Sequence, residues 1–583
     1  MGLLGKISDA VERFNREVER QVRDARRDAK LGKKLLSRWR AARSAAGVVT
    51  TPTGLQLPGL ALPELDEAGA IARYLGEVGL PGEFPFVTAA YRQMYLLRED
   101  EKHHGEEPTR LFAGFGLAED TNARFHYLRG QQRSARLSTA FDGPTLYGLD
   151  SDADGAAGKI GEGGVAVDTA DDMERLYDGF DLADANCSVS MTINGPAPTI
   201  LAMYVAAAVR RFGPRVLPLL RGTIQADILK EVQAQNECLF PVDASLRFLT
   251  DMVQWVTDKM PRFYPISVSG YHIAEAGSTP VQQAAYTLSN GFTYVGLFGG
   301  RGLDLKKFGP RLSFFLDCGL DIEYLALARV CRKIWAIGMR DCVGAPPSAQ
   351  VLKLHTQTSG RSLVAAEFQN NLTRTAVELM LAYMNATNSC HSNSADEPFT
   401  TPSQEYVRLA AHAQAILLEE SGLFRHMMGA ISGSPGMAAV ASAVEAAILA
   451  EFRELDHLGG VLPAMEQRYQ RAQIQAAAHV YERQINDGTR PIIGVNRYAA
   501  GSTVPQVAMV RTALAKRKKQ LARLAAFKKK NAKAAPKALA KLQKVVESNS
   551  NVFAELIKTV EVCSLGQITH CLHETVGHFR PTV

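Results

Sequence analysis

Cysteine is scarce and scattered. Eight cysteines occur in 583 residues, at 187, 238, 318, 331, 342, 390, 563 and 571, and none forms a CxxC pair. That spacing argues against a disulfide framework or a thiolate zinc site, and predicts reduced thiols in a cytoplasmic protein. Long apolar runs are missing too. Ile200–Val209 is far too short to span a bilayer, and no secretory signal is read at the start, so no membrane association is expected. There is no GxxxxGK[ST] loop, which excludes a P-loop, and no GxSxG elbow. His573-Glu574-Thr575-Val576-Gly577-His578 sets its histidines five apart, where a helical zinc motif needs four, so no metal site is expected.

Charge of one sign is not missing but displaced. The net charge is +6, yet residues 1–46 hold thirteen Lys/Arg against six acids and residues 511–547 hold thirteen against one, leaving the middle net acidic. The first basic stretch carries Ile7, Val11, Phe14, Val18 and Val22 at helical spacing and reads as a solvated arm or one that wraps a partner. The second reads as one or two exposed helices broken near Pro536, with a solvated face. No nucleic-acid-reading motif accompanies either, so nucleic acid is an unlikely partner.

Between the ends, short apolar runs alternate with helical patterns. The runs are Arg136–Asp142, Gly164–Thr169, Ser188–Asn194, Gly222–Gln225, Ile266–His272, Arg311–Asp317, Val351–Thr358 and Asn388–Asn393. Eight strands with crossovers predict an α/β fold, a (β/α)8 TIM barrel, with an N-terminal helical arm and a C-terminal helical region. The expected units are 1–63 (arm and linker), 64–420 (barrel), 421–505 (helical region) and 506–583 (Lys-rich helices and packing segment). Six strands end in polar residues: Asp142, Asn194, Gln225, His272, Gln357 and Asn393. Catalytic groups gather at such ends in a barrel. His272 with Tyr271, Gln225 and Gln235 makes a neutral polar set suited to binding a carbonyl in a dry site, without the paired carboxylates of a hydrolase.

At Gly222–Asn236, Ser267–Gly277, Ser188–Pro196, His355–Leu363 and His391–Glu397 the chain resembles the substrate-binding part of the adenosylcobalamin-dependent acyl-CoA mutases, the methylmalonyl-CoA mutase family. Thr139–Asp142, Thr145–Gly148 and Val562–Thr569 place the likeness nearest the isobutyryl-CoA mutases. The resemblance implies a radical 1,2-rearrangement of an acyl-CoA. His272, Tyr271 and Gln225 would be catalytic. Phe112, Thr223, Gln235, Arg311, Ser313 and Gln357 would bind substrate. Ala140, Phe141, Asn393 and Glu397 would hold the cofactor.

Phe112 and Gln235 stand where methylmalonyl-CoA mutases have a Tyr and an Arg that grip a free carboxylate. A neutral acyl group is therefore expected, first isobutyryl/n-butyryl, with isovaleryl/pivalyl or 2-hydroxyisobutyryl types as alternatives. The family's cobalt-binding DxHxxG is absent, so the resemblance implies a separate small cobalamin-binding subunit, a hetero-oligomer and a possible GTPase chaperone. A non-catalytic paralogue and a basic scaffold are the competing readings. The chain departs from the family at Leu423–Met437, at Pro346–Ala349 and by an insertion at Glu99–Glu107.

Overall fold

The computed structural model describes residues 2–51, 53–92, 94, 109–130, 134–424, 429–499 and 509–580. The insertion Glu99–Glu107 lies outside the described residues. Strands β1 (Val48–Thr50) and β2 (Gln56–Pro58) form an antiparallel hairpin. The other strands described all pair in parallel. One sheet runs β3 (Phe112–Ala113), β4 (Ala135–Ala140), β5 (Cys187–Thr192), β6 (Gly222–Ile224), β7 (Phe263–Tyr264), and the other runs β8 (Ile266–Ser269), β9 (Leu312–Cys318), β10 (Lys353–Thr358), β11 (Ser389–His391). Only Pro265 separates β7 from β8. The sheets also touch at both edges. Thr109 bridges Cys390 in parallel, Arg110 N–H donates to Cys390 O at 2.8 Å, and Ser267 N–H donates to Gln225 O at 2.9 Å.

Helices follow the strands, as parallel connections require. Ala197–Phe212 follows β5, Val242–Lys259 follows β6, Pro280–Gly300 follows β8 and Leu327–Asp341 follows β9. Apolar strand residues such as Leu137, Val189, Ile224, Val268, Phe314 and Leu354 join these helices in one core.

One expected strand is corrected. Gly164–Thr169 is not a strand; it makes a single bridge, Val165 to Phe141. It crosses the end of β4 so closely that a Cβ on Gly164 would lie 2.0 Å from the Phe141 carbonyl carbon. The strand that takes its place is β3, two residues followed by Gly114 and Gly116, too short to show an alternating pattern.

The basic ends pack one face on the body and leave most of their Lys and Arg side chains exposed. Helix Leu3–Arg27 buries Ile7, Val11, Val18 and Val22. It packs against Ala68–Glu77, Leu327–Asp341 and Pro435–His457 of its own chain. The Lys-rich stretch forms Leu514–Lys530 and Ala535–Glu547, with Pro536 in the first turn of the second, where its missing N–H costs nothing. The expected solvated face is present, with Lys518, Lys529, Lys530, Lys533, Lys537 and Lys544 exposed, while another side of the stretch is laid on the acidic middle. Lys516 pairs with Asp120 at 2.6 Å, Lys519 with Glu119 at 2.7 Å, Arg517 with Glu162 at 2.7 Å and Lys528 with Asp150 at 2.8 Å. Such part-exposed pairs contribute at most about 1 kcal/mol each. Burial of Leu524 and Phe527, and the Gln520 amide donating to Asp168 at 2.8 Å, fix the helix in place.

Helix Pro435–His457 is, among the described residues, long and apolar enough to cross a membrane. Much of that hydropathy is alanine, and Val444, Ile448, Phe452 and Leu455 are buried against the body.

Candidate functional site

Side chains alternate along a strand, so every second residue faces the same side. On β5 those residues are Ser188, Ser190 and Thr192; on β6, β8, β9 and β11 they include Thr223, Ser267, Ser313 and Ser389. Closed parallel sheets usually fill this side with Val, Ile and Leu. Here small hydroxyl side chains leave a cavity of about 680 Å³. Its lining at the N-terminal strand ends carries Arg110, Arg136, Arg221, Arg262 and Lys353, and no carboxylate among the described residues. Lys353 Nζ donates to Tyr264 OH at 2.6 Å, and Arg110 donates to Ser190 Oγ at 2.9 Å.

The other end of the cavity is closed by Phe112, Gln225, Phe315 and His355. Phe112 is in edge contact with His391 (5.1 Å) and His355 (5.7 Å) and stacks towards Phe315 at 6.4 Å. Its backbone N–H donates to His391 Nδ1 at 3.2 Å. Phe315 forms the partition to the next layer. Tyr271 lies parallel on it at 5.0 Å, and His272 meets it edge-on at 5.8 Å. Tyr271 and His272 open the short helix Tyr271–Glu275 directly after β8.

His272 is held neutral. Burial lowers its pKa well below 6.5, and the Lys230 ammonium acts in the same direction. Its Nδ1 is buried without a hydrogen-bond partner among the described residues. Tyr271 is pushed well above 10 by burial and by Glu275, Asp317 and Glu397. Gln225 is locked: its amide donates to Ser269 Oγ at 2.8 Å, and its oxygen accepts from Asn194 at 3.0 Å. At the ends of β10 and β11, Gln357 donates to Asn393 Oδ1 at 2.8 Å, and Asn393 donates to Thr358 O at 2.8 Å. Glu397 accepts from Ser394 N–H at 2.9 Å, and burial raises its pKa to about 7.

The fold thus brings Phe112, Thr223, Gln225 and Ser313 onto one cavity, with Tyr271 and His272 behind its Phe315 wall. The other expected site residues are placed differently. Arg311 points away, its guanidinium 3.4 Å from Thr257 O. Gln235 sits in a π-helical turn, Glu231–Gln235, off the cavity. Ala140 ends β4 and Phe141 follows it, its ring in the core, 3% exposed. Asp142 is a structural cap, accepting from Thr145 N–H at 3.0 Å and Gly161 N–H at 2.7 Å.

Sequence reasoning missed Phe315, His355, His391 and the cationic mouth. The alternation Ser188-x-Ser190-x-Thr192 was the available signal for the channel. Nothing local marks Phe315 as a partition.

The cavity thus runs from a cationic mouth to a neutral, aromatic-walled end. The chain belongs to the methylmalonyl-CoA mutase family: the family profile described as Methylmalonyl-CoA mutase matches residues 59–578. It is similar to the fused isobutyryl-CoA mutase of Geobacillus kaustophilus, 42% identical over 557 residues, covering 91% of this chain and 50% of that protein. The fused isobutyryl-CoA mutase of Paraburkholderia xenovorans is 44% identical over 557 residues, covering 91% and 43%. The chain therefore spans about half the length of these fused relatives. The 2-hydroxyisobutanoyl-CoA mutase large subunit of Aquincola tertiaricarbonis is 38% identical over 426 residues, covering 73% of this chain and 74% of that one.

Proposed function

We propose that the chain is the substrate-binding, catalytic part of an adenosylcobalamin-dependent mutase that rearranges a neutral acyl-CoA, isobutyryl/n-butyryl first. The observation that carries this reading is the change of character along one channel, from four arginines and a lysine to neutral amides, imidazoles and rings. The two sheets, touching at both edges, are read as one (β/α)8 barrel, with β7 and β8 as a single strand. The CoA phosphates meet the cationic mouth, the pantetheine runs past the serines, and the thioester reaches Gln225 and, with the Phe315 ring turned aside, His272.

His272, being neutral, keeps one N–H to donate to the thioester oxygen. Gln225, fixed at both ends of its amide, orients the acyl group. Tyr271, rigid against Phe315, walls the reacting carbon from water. The donors and acceptors of Gln357, Asn393 and Glu397, the last raised by burial to about 7, fit the hydroxyls of an adenosyl ribose. When bound, adenosylcobalamin supplies the radical chemistry that removes and returns a hydrogen atom. Excluding solvent from that step is the task of the packed rings.

Phe112 carries no hydroxyl, and Gln235 no charge. An acyl carboxylate at this end would be buried unpaired, at a cost of several kcal/mol. The cobalamin-binding part is proposed to come from a separate subunit in a hetero-oligomer, with a GTPase chaperone as a further partner. The relative named as a large subunit supports the first of these.

The test is an anaerobic assay with a cobalamin-binding subunit and adenosylcobalamin, offering isobutyryl-, n-butyryl-, isovaleryl- and methylmalonyl-CoA in parallel. Turnover of a neutral thioester, lost in His272→Ala, is expected. Methylmalonyl-CoA turnover at a comparable rate would sink the substrate assignment.

A further inference from the structure

We propose that Asn194 and Ser269 are positioning residues that make Gln225 a hydrogen-bond donor towards the ligand in the cavity, whose identity rests on the acyl-CoA reading above. Asn194 follows β5, Gln225 follows β6 and Ser269 ends β8. Four hydrogen bonds join these three residues and Asp227 in a closed ring. Asp227 N–H donates to Asn194 Oδ1 at 3.0 Å, and the Asn194 amide donates to Gln225 Oε1 at 3.0 Å. The Gln225 amide donates to Ser269 Oγ at 2.8 Å, and Ser269 N–H donates to Asp227 Oδ2 at 2.7 Å. All four residues are at most 3% exposed, and of the four only Gln225 lines the cavity.

A side-chain amide can turn over, exchanging oxygen and nitrogen, unless its partners forbid it. Here both partners of Gln225 forbid it. The group facing Asn194 from Asp227 is a backbone N–H, so it must meet the Asn194 oxygen, and the Asn194 nitrogen is left for Gln225. The Ser269 hydroxyl spends its proton on a backbone acceptor, Ser267 O at 2.9 Å, so towards Gln225 it accepts. Two backbone groups thus set the polarity of Gln225, one through Asn194 and one through Ser269. Turning the amide over would set nitrogen against nitrogen and oxygen against oxygen inside a buried ring, where each lost bond is costly. The ring uses one Gln225 N–H. The second has no protein partner among the described residues. A thioester oxygen, which can only accept, is the complement of that free donor.

The test compares two ligands of the full chain by calorimetry: isobutyryl-CoA and S-isobutyl-CoA, the thioether with a methylene in place of the carbonyl. The nucleotide and pantetheine are common to both, so the ratio of the two Kd values isolates the carbonyl. Asn194→Ala and Ser269→Ala are each expected to reduce the preference for the thioester about fivefold, with the thioether Kd nearly unchanged. Gln225→Met should reduce it at least as much. Adding Asn194→Ala or Ser269→Ala to Gln225→Met should then change nothing further, because both act through Gln225. A preference that survives in Gln225→Met overturns the donor assignment, whether or not the other variants fold. An equal loss for both ligands in Asn194→Ala and Ser269→Ala, or a further loss of preference on top of Gln225→Met, overturns the positioning role. If neither ligand binds the unaltered chain, the acyl-CoA reading itself fails, which keeps the two failures apart.

Discussion

The two ends of the channel treat charge in opposite ways. At the N-terminal mouth, Arg136, Arg221, Arg262 and Lys353 line the opening with no carboxylate among the described lining residues. At the C-terminal end, several ionisable side chains are shifted towards their neutral forms: His272 and His355 well below 6.5, His391 to about 4, Glu397 and Asp317 up to about 7. In every case burial is the first cause. A full charge is inexpensive where water enters and costs most where it is excluded. On the proposed reading, one cavity would hold a polyanionic tail by attraction at one end and keep a dry, dipolar site at the other.

The sharpest way to break this comparison is at the dry end. His272→Ala removes the N–H proposed to meet the thioester oxygen, and should lower kcat by about 10²–10³-fold with little change in KM. His272→Gln, which restores a neutral donor, should recover part of the loss. Equal losses in both variants would make His272 a packing residue. Next in size is the wet end. Arg221→Ala with Arg262→Ala should raise KM for an acyl-CoA about tenfold and leave kcat nearly unchanged, more strongly at low salt than at high. The matching acyl-pantetheine, which lacks the nucleotide phosphates, should show no change. An equal loss with both substrates would remove the mouth from any role in holding phosphate.

Between the ends, the serines are the expected cause of the open bore. Ser190→Val or Ser267→Val should narrow it and weaken acyl-CoA binding several-fold in calorimetry. The thermal midpoint should hold or rise, because a β-branched apolar side chain suits a strand interior. Unchanged binding in both variants would route the ligand elsewhere.

How much of this could be read from the chain follows the range of the interactions. The parallel strands leading up to Gln225 and Asn393 were legible, because a strand's apolar run is local; the strand expected to reach His272 stops at Ser269, and His272 lies in helix Tyr271–Glu275. The short β3 was not, and Gly164–Thr169 took its place. That stretch is β-branched and buried, but its backbone crosses Phe141 instead of pairing along a ladder. The Lys-rich helices were legible as helices, with their break at Pro536. Their docking was hidden because Asp120, Asp150 and Glu162, the acids that receive them, lie more than three hundred residues away. Gln225 was expected at a strand end and lines the cavity there, while His272 stands in the helix after β8. The Phe315 wall between cavity and His272 was not, because a phenylalanine within a strand reads as core.

The smallest effect concerns stability and carries a definite sign. Glu397 titrates at about 7 in the folded chain, against 4.5 ordinarily. Between those values the folded state retains a proton that the unfolded state has released, so this group's contribution falls as pH rises from about 4.5 to about 7. His391 runs the other way. At about 4 when folded, against 6.5, it stays neutral where the unfolded chain is protonated, so its contribution grows as pH rises from about 4 to about 6.5. Glu397→Gln keeps the shape and cannot ionise. It should match the unaltered chain in thermal midpoint near pH 5 and exceed it by about 1–2 °C near pH 8. A gain of the same size at both pH values would trace to packing, and would show that Glu397 is not held uncharged at the dry end.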